Sequence, residues 1–261
     1  MSAGADMRGA FALLTTAPVP SGDTPPTPTC AAWFPWVGLV LGALALGGLT
    51  ALDAASVVWA DGDFLTRAAW PLAVLLIAGW AASTRLLHWD GLADVSDAWW
   101  GGATPSRRLE IMADSSVGAF GAATVALTAI AQVSAVAVLI GRPGFEVAIL
   151  AAPAFGRAAA TFGAWLGAPA RPGGLGSRVA GRPTVGGILI SSAGLGLAGA
   201  SMLYGHGMTG MVWAVFAFVL AAVVPHLLSG KFGGITGDVL GASVIVTETA
   251  CLMAAALVVT W

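Results

Sequence analysis

The stretch from Pro183 to Gly230, PTVGGILISSAGLGLAGASMLYGHGMTGMVWAVFAFVLAAVVPHLLSG, contains no Lys, Arg, Asp or Glu. A helix crossing the ~30 Å hydrocarbon layer of a bilayer uses ~20 mostly apolar residues. The stretch is therefore far too long for one crossing and suits two. Tyr204-Gly-His206-Gly, near its middle, marks the turn that divides them.

The rest of the chain extends this pattern. Of 261 residues, 57% are hydrophobic and 9% charged, against ~25% charged in soluble domains. So little charge cannot cover a water-facing surface. Apolar runs lie near 33–52, 68–87, 117–140, 146–168, 184–204, 209–229 and 239–261. Arg157 interrupts the fourth and Glu248 the seventh, which leaves six or seven spans. The expected fold is an all-α polytopic transmembrane bundle, with 33–261 as one integral-membrane catalytic domain in contact with the lipid bilayer. Residues 1–32 form an N-terminal interfacial segment and Pro-rich linker. Phe11 to Ala17 reads as a short interfacial helix, and Pro20, Pro25, Pro26 and Pro28 keep Val19 to Thr29 out of regular helix. The apolar run Phe11–Leu14 is too short for a secretory signal. A net charge of −2 gives no reason to expect nucleic acid. Cys30 and Cys251 make neither a metal pair nor a disulfide framework; they are packed or lipid-facing.

Basic residues orient the bundle. With seven spans, one side holds Arg8, Arg85, Arg107, Arg108, Arg171, Arg178, Arg182 and Lys231, and the other only Arg67 and Arg142. The first side is expected to be cytoplasmic, in a prokaryotic cytoplasmic membrane. The acidic motifs share it, so the active site is expected to face the cytoplasm. Gly38/Gly42, Gly163/Gly167 and Gly237/Gly241 have the GxxxG spacing that permits close helix contact. Oligomeric state is left open, a homo-oligomer included.

The chemistry begins at Arg85-Leu-Leu-His88-Trp-Asp90-Gly-Leu-Ala-Asp94-Val-Ser-Asp97. On a helix, Asp90, Asp94 and Asp97 share one face. Stacked carboxylates repel one another, and an acid in lipid costs ~2.5–3.5 kcal/mol on insertion scales. A hard divalent cation relieves both, and oxygen-only ligands suit Mg²⁺, Mn²⁺ or Ca²⁺ rather than zinc. The bland alternative is a solvated acidic helix end.

Arg107-Arg108-Leu-Glu110-Ile-Met-Ala-Asp114 follows, with Thr104-Pro105 as a helix start. Glu110 and Asp114 are again four apart. Asp114 is expected to complete the metal site and Arg108 to hold a phosphate, whereas Arg107 reads as an Arg–Glu surface pair. In Lys231-Phe-Gly233-Gly234-Ile-Thr236-Gly237-Asp238, glycines before a helix bring backbone N–H groups to an anion. Lys231 and Thr236 add phosphate contacts, and Asp238 is either an N-cap or a further metal ligand. Arg157, in mid-span, needs an anionic ligand or a partner such as Glu248. His88 is a candidate general base or a hydrogen-bonded helix-end histidine. The tryptophans mostly fit interfacial belts.

Three stretches together resemble the cobalamin synthase family, the adenosylcobinamide-GDP ribazoletransferases. His88-Trp-Asp90-Gly-Leu-Ala-Asp94-Val-Ser-Asp97 is similar to its H-x-D-G-L-A-D-x-x-D-G. Arg108-Leu-Glu110-Ile-Met112-Ala-Asp114-Ser115 and Gly233-Gly234-Ile-Thr236-Gly237-Asp238-Val-Leu-Gly241-Ala242 resemble two more of its motifs. Ala98 and Ser116 depart from the pattern but replace none of its carboxylates. The resemblance implies that α-ribazole, or its 5′-phosphate, is joined to adenosylcobinamide-GDP with release of GMP. It also implies Mg²⁺, with Mn²⁺ able to substitute, on Asp90, Asp94, Asp97 and Asp114, with Asp238 as a further ligand. Arg108, Arg157 and Lys231 would neutralise phosphates. The rival readings are a CDP-alcohol phosphotransferase, in which an arginine should stand where Asp94 does, and a divalent-cation transporter, whose acids should spread through the bilayer depth.

Overall fold

The structure, a computed structural model, describes residues 3–20, 26–57, 63–144 and 146–259. Pro25 of the predicted linker and the last two residues of the predicted seventh span lie outside them. The described chain is helical: α1 (Ala3–Leu14), a 3-10 segment (Pro28–Trp33), α2 (Phe34–Ser56), α3 (Phe64–Arg67), α4 (Ala69–Ser83), α5 (Leu87–Gly101), α6 (Pro105–Ile111), α7 (Ala119–Leu139), α8 (Val147–Leu166), α9 (Leu175–Val179), α10 (Val185–Phe232) and α11 (Gly237–Val259).

The charge-free stretch forms α10, and Thr184 starts it by accepting a bond from the Gly187 N–H at 3.0 Å. Gly207, at φ 55° and ψ −130°, breaks the helical path. There the chain doubles back. A Cβ on Gly199 would touch that of Ala214, and one on Gly210 would overlap the Met202 carbonyl. The two arms are thus antiparallel neighbours, as the predicted turn at Tyr204-Gly-His206-Gly requires.

Among the described residues, five helical stretches are long and apolar enough to cross a membrane: Pro28–Ser56, α7, α8, α10 and α11. The doubling of α10 makes six crossings. The predicted span at 68–87 is shorter than expected. Its helix α4 ends at Ser83, Arg85 and Leu86 both take left-handed φ (53° and 54°), and α5 departs at 89°. Two consecutive non-glycine residues in this region are strained. The Arg85 guanidinium helps hold the corner by donating to the Ala12 carbonyl at 3.1 Å.

Contacts sort the loops into two ends. At one, the Thr16 N–H donates to Ser83, the Ala170 N–H to Ile235, and Arg108 to the Lys231 carbonyl. At the other, Gly141 lies on Thr66 and His206 Nε2 meets the Gly144 carbonyl at 2.6 Å. So α3 and α4 together run from end to end. In contrast, α5 stays at the first end: Gly102 abuts Arg108, and Asp97 reaches the start of α7. It lies across that end rather than passing through the bundle.

Almost all of α8 is buried, and α2, α10 and α11 pack around it. Gly38 and Gly42 admit the backbone of Pro153 and Leu150, Gly163 faces Leu240 and Pro225, and Gly241 meets Leu87 and His88. All three glycine pairs therefore sit at contacts. Leu44, Leu75, Leu127, Ile130 and Leu189 point outward, as suits a surface solvated by lipid. Both cysteines are buried. Several tryptophans are internal staples rather than belt residues. Trp36 donates to the Ile190 carbonyl, Trp80 to Leu41 and Trp213 to Cys251.

The N-terminal helix begins earlier than expected and ends at Leu14, where the Thr15 hydroxyl turns back onto the Phe11 carbonyl at 2.7 Å. Asp6 ties this helix to the 3-10 segment through Thr29 at 2.8 Å.

Candidate active site

The acidic face of α5 is brought to α11 by glycine. A Cβ on Gly91 would come within 2.8 Å of the Asp238 carbonyl oxygen, and one on Gly241 within 3.3 Å of His88 Cα. With hydrogen at both positions the helices cross in backbone contact, and Asp238 joins the α5 carboxylates. Asp90 is exposed, while Asp94, Asp97 and Asp238 are half-buried. Burial first, then the charges of Asp90, Asp238 and Asp97, push the Asp94 carboxyl up to about 6.

Asp97 has a second occupation. Its carboxylate accepts from the Gly118 N–H at 2.7 Å and the Gly121 N–H at 2.8 Å. It thereby satisfies the orphan donors that open α7 and places negative charge at the positive end of that helix. Asp238 is not the N-cap of α11. The Thr236 hydroxyl takes that role by accepting from the Val239 N–H at 3.1 Å, which also accounts for Thr236 being buried.

No three His, Cys, Asp or Glu side chains among the described residues converge as ligands for a single ion. The donor chemistry nevertheless fits a hard divalent cation: every candidate ligand is a carboxylate oxygen, and the repulsion felt at Asp94 is the charge imbalance such an ion would relieve. Asp90, Asp97 and Asp238 lie near enough to Asp94 for their charges to act on it.

The other predicted site residues scatter over several roles. Asp114 does not share a helix face with Glu110, because α6 stops at Ile111. It is exposed and accepts from the Ser116 N–H and hydroxyl at 2.9 and 2.6 Å, bonds that hold its carboxyl below the usual range. Arg107 pairs with Glu110 at 2.9 Å, the bland alternative. Arg108 is spent on the Lys231 carbonyl, and the Lys231 ammonium sits over the Trp99 ring, 5.4 Å from its centroid.

Gly233 and Gly234 have a structural reason for being glycine. Gly233 (φ 71°) closes α10 in the left-handed conformation. Gly234 (φ 148°) leaves no room for a Cβ against Ala168 and Ala170, where Ile235 bonds to Ala168 and Ala170. Arg157 is paired with Glu248 in the bundle interior, with Gln132 also reaching Glu248. The pairing accounts for an arginine in mid-span. His88 is buried, and neither ring nitrogen has a partner among the described residues. Burial, then the Arg157 charge, hold its imidazole well below its ordinary value and therefore neutral.

Arg171, which the sequence marks only as one of the basic residues that orient the bundle, stands next to Asp238. It lines a cleft with Gly174, Gly176, Ser177 and Asp238, and its charge acts on Asp238. The run Arg171-Pro-Gly-Gly-Leu-Gly-Ser177 was the available signal: three glycines and a cation between two spans, on the side of the acidic motifs.

A polytopic helical membrane protein with a carboxylate-rich centre at one end is the class that this fold and site define. The chain belongs to the cobalamin-5-phosphate synthase family, whose model matches residues 6–256. It is 37% identical to the adenosylcobinamide-GDP ribazoletransferase of Frankia casuarinae, over 97% of this chain and 95% of that one. It is 36% identical to the proteins of the same name from Brucella ovis and Brucella canis, over 95% of each chain. No solved structure matches it.

Proposed function

We propose that this protein joins α-ribazole or its 5′-phosphate to adenosylcobinamide-GDP and releases GMP, the step that completes the nucleotide loop of cobalamin. A ribose hydroxyl of the acceptor attacks the phosphorus attached to cobinamide. The new P–O bond forms as the bond to the GMP oxygen breaks, GMP leaves with the electron pair, and the hydroxyl proton passes to a nearby carboxylate. Such a transfer is catalysed chiefly by positioning and charge neutralisation.

Asp90, Asp94 and Asp238 are the residues that would hold Mg²⁺, or Mn²⁺ in its place, which when bound neutralises pyrophosphate charge. Asp97 fixes α5 against α7, and Gly91 and Gly241 fix it against α11, so the carboxylates meet the substrate on a rigid frame. Basic residues crowd the loops of the site end, which supports a cytoplasmic orientation for it and draws anionic substrates towards it.

The observation that carries this reading is that family membership extends over nearly the whole chain, with two of the three motif segments meeting where α5 crosses α11. The test uses purified protein in liposomes, given adenosylcobinamide-GDP and α-ribazole 5′-phosphate with and without Mg²⁺. Metal-dependent release of GMP with a cobalamin product is expected. Turnover that persists in chelator would remove the metal, and absence of product from folded protein would remove the reaction.

A further inference from the structure

The cleft beside Asp238 is distinct from the carboxylate face of α5. It encloses about 130 Å³, and neither Asp90, Asp94 nor Asp97 lines it. Its wall is built rather than draped. A Cβ on Gly176 would come within 2.8 Å of the Thr236 backbone, so the 171–177 segment lies directly on the start of α11. The Ala170 N–H donates to the Ile235 carbonyl at 3.0 Å on one flank, and the Gly181 N–H to Ala164 at 3.0 Å on the other. Both ends of the loop are therefore pinned.

Arg171 is the cation this cleft presents. It is exposed and has no ion pair or side-chain hydrogen bond among the described residues, unlike Arg107, Arg108 and Arg157. Its charge acts on Asp238 across the cleft, and its unshared N–H donors suit a planar or tetrahedral oxyanion. The geometry of phosphoryl transfer decides which one. Attacking and leaving oxygens lie in line through the phosphorus, so the acceptor approaches from the side opposite GMP. A phosphate carried by the acceptor therefore needs its own subsite, beside the carboxylates but separate from the pyrophosphate. The cleft lies beside Asp238 and is not lined by Asp90, Asp94 or Asp97, and its about 130 Å³ and single guanidinium match one phosphate.

We propose that Arg171 and the cleft it lines take the 5′-phosphate of the acceptor nucleotide, and so set the preference for α-ribazole 5′-phosphate over α-ribazole. The assignment rests on the transferase reading above.

The test compares wild type, Arg171→Ala and Arg171→Lys in liposomes. Two quantities are measured: the ratio of kcat/KM for the two acceptors, and calorimetric binding of α-ribazole 5′-phosphate. Loss of a charge-assisted contact is expected to narrow the ratio by roughly ten- to a hundredfold in the alanine variant, to weaken binding alike, and to be partly restored by lysine. A ratio and a binding constant that match wild type overturn the proposal, and so does an equal loss for both acceptors. If wild-type protein turns over neither acceptor, the transferase reading fails, and binding of α-ribazole 5′-phosphate by the three proteins still decides the cleft.

Discussion

Gly91 of α5 faces the backbone of Asp238 on α11, and a Cβ there would stand 2.8 Å from the Asp238 carbonyl oxygen. Backbone cannot give way as a side-chain tip can. Gly91→Ala is expected to push the two helices apart and separate Asp90 and Asp94 from Asp238. Overpacking of this kind costs about 1–3 kcal/mol. Turnover should fall much further than thermal stability, and comparing kcat with the unfolding midpoint in detergent checks it.

The Asp94 carboxyl, at about 6, gives the metal dependence a pH profile. Below that pH the group keeps its proton; above it, it is a carboxylate. Protons and a divalent ion compete for it, so apparent Mg²⁺ affinity should weaken as pH falls through 6, approaching about tenfold per pH unit. Mg²⁺ titrations of activity between pH 5 and 8 read this directly. In Asp94→Asn the remaining metal binding should lose that dependence.

Arg157 and Glu248 form a buried pair. Removing one partner strands a charge in the bundle, and Glu248→Ala should destabilise by about 3–5 kcal/mol. Arg157→Met with Glu248→Leu should recover most of that loss, as seen by thermal denaturation. The double variant should also keep its turnover. A double variant that folds but is inactive would return Arg157 to the substrate.

Asp97 separates a docking role from a metal role. Asp97→Ala leaves the Gly118 and Gly121 N–H groups without an acceptor, a loss of about 2–3 kcal/mol for bonds to a charged group. The midpoint of unfolding should drop while the Mg²⁺ concentration for half-maximal residual activity changes little. The reverse pattern would make Asp97 a ligand.

Bilayer thickness made much of this fold readable, because span length and the absence of charge are direct demands of lipid. The turn within 183–230, the Thr104-Pro105 helix start and the three glycine pairs all appeared in the sequence for local reasons. The 89° corner between α4 and α5 did not, since Arg85 and Leu86 adopt left-handed φ without being glycine, and tertiary contacts hold them there. Gly233 and Gly234 read two ways in the sequence, because a helix C-terminus and an anion-binding loop ask for the same residue. Thr236 capping α11 and Asp97 receiving α7 depend on partners that spacing alone does not identify. Glu248, 91 residues from Arg157, was reachable only because so few charges lie within the spans. Arg171 reads from the sequence only as a basic residue of the loops, because the surface it faces is assembled from the start of α11.

The central claim is that the carboxylates at the α5–α11 crossing carry the chemistry, and Asp94 is where their fields converge. The decisive measurement is GMP release from adenosylcobinamide-GDP and α-ribazole 5′-phosphate by Asp94→Asn in liposomes, beside wild type and with circular dichroism and unfolding midpoint matched. The expected result is loss of turnover by a factor of a hundred or more, about 2.7 kcal/mol of transition-state stabilisation, in a protein that folds as wild type does. Turnover close to wild type would contradict the account and move the catalytic centre away from α5.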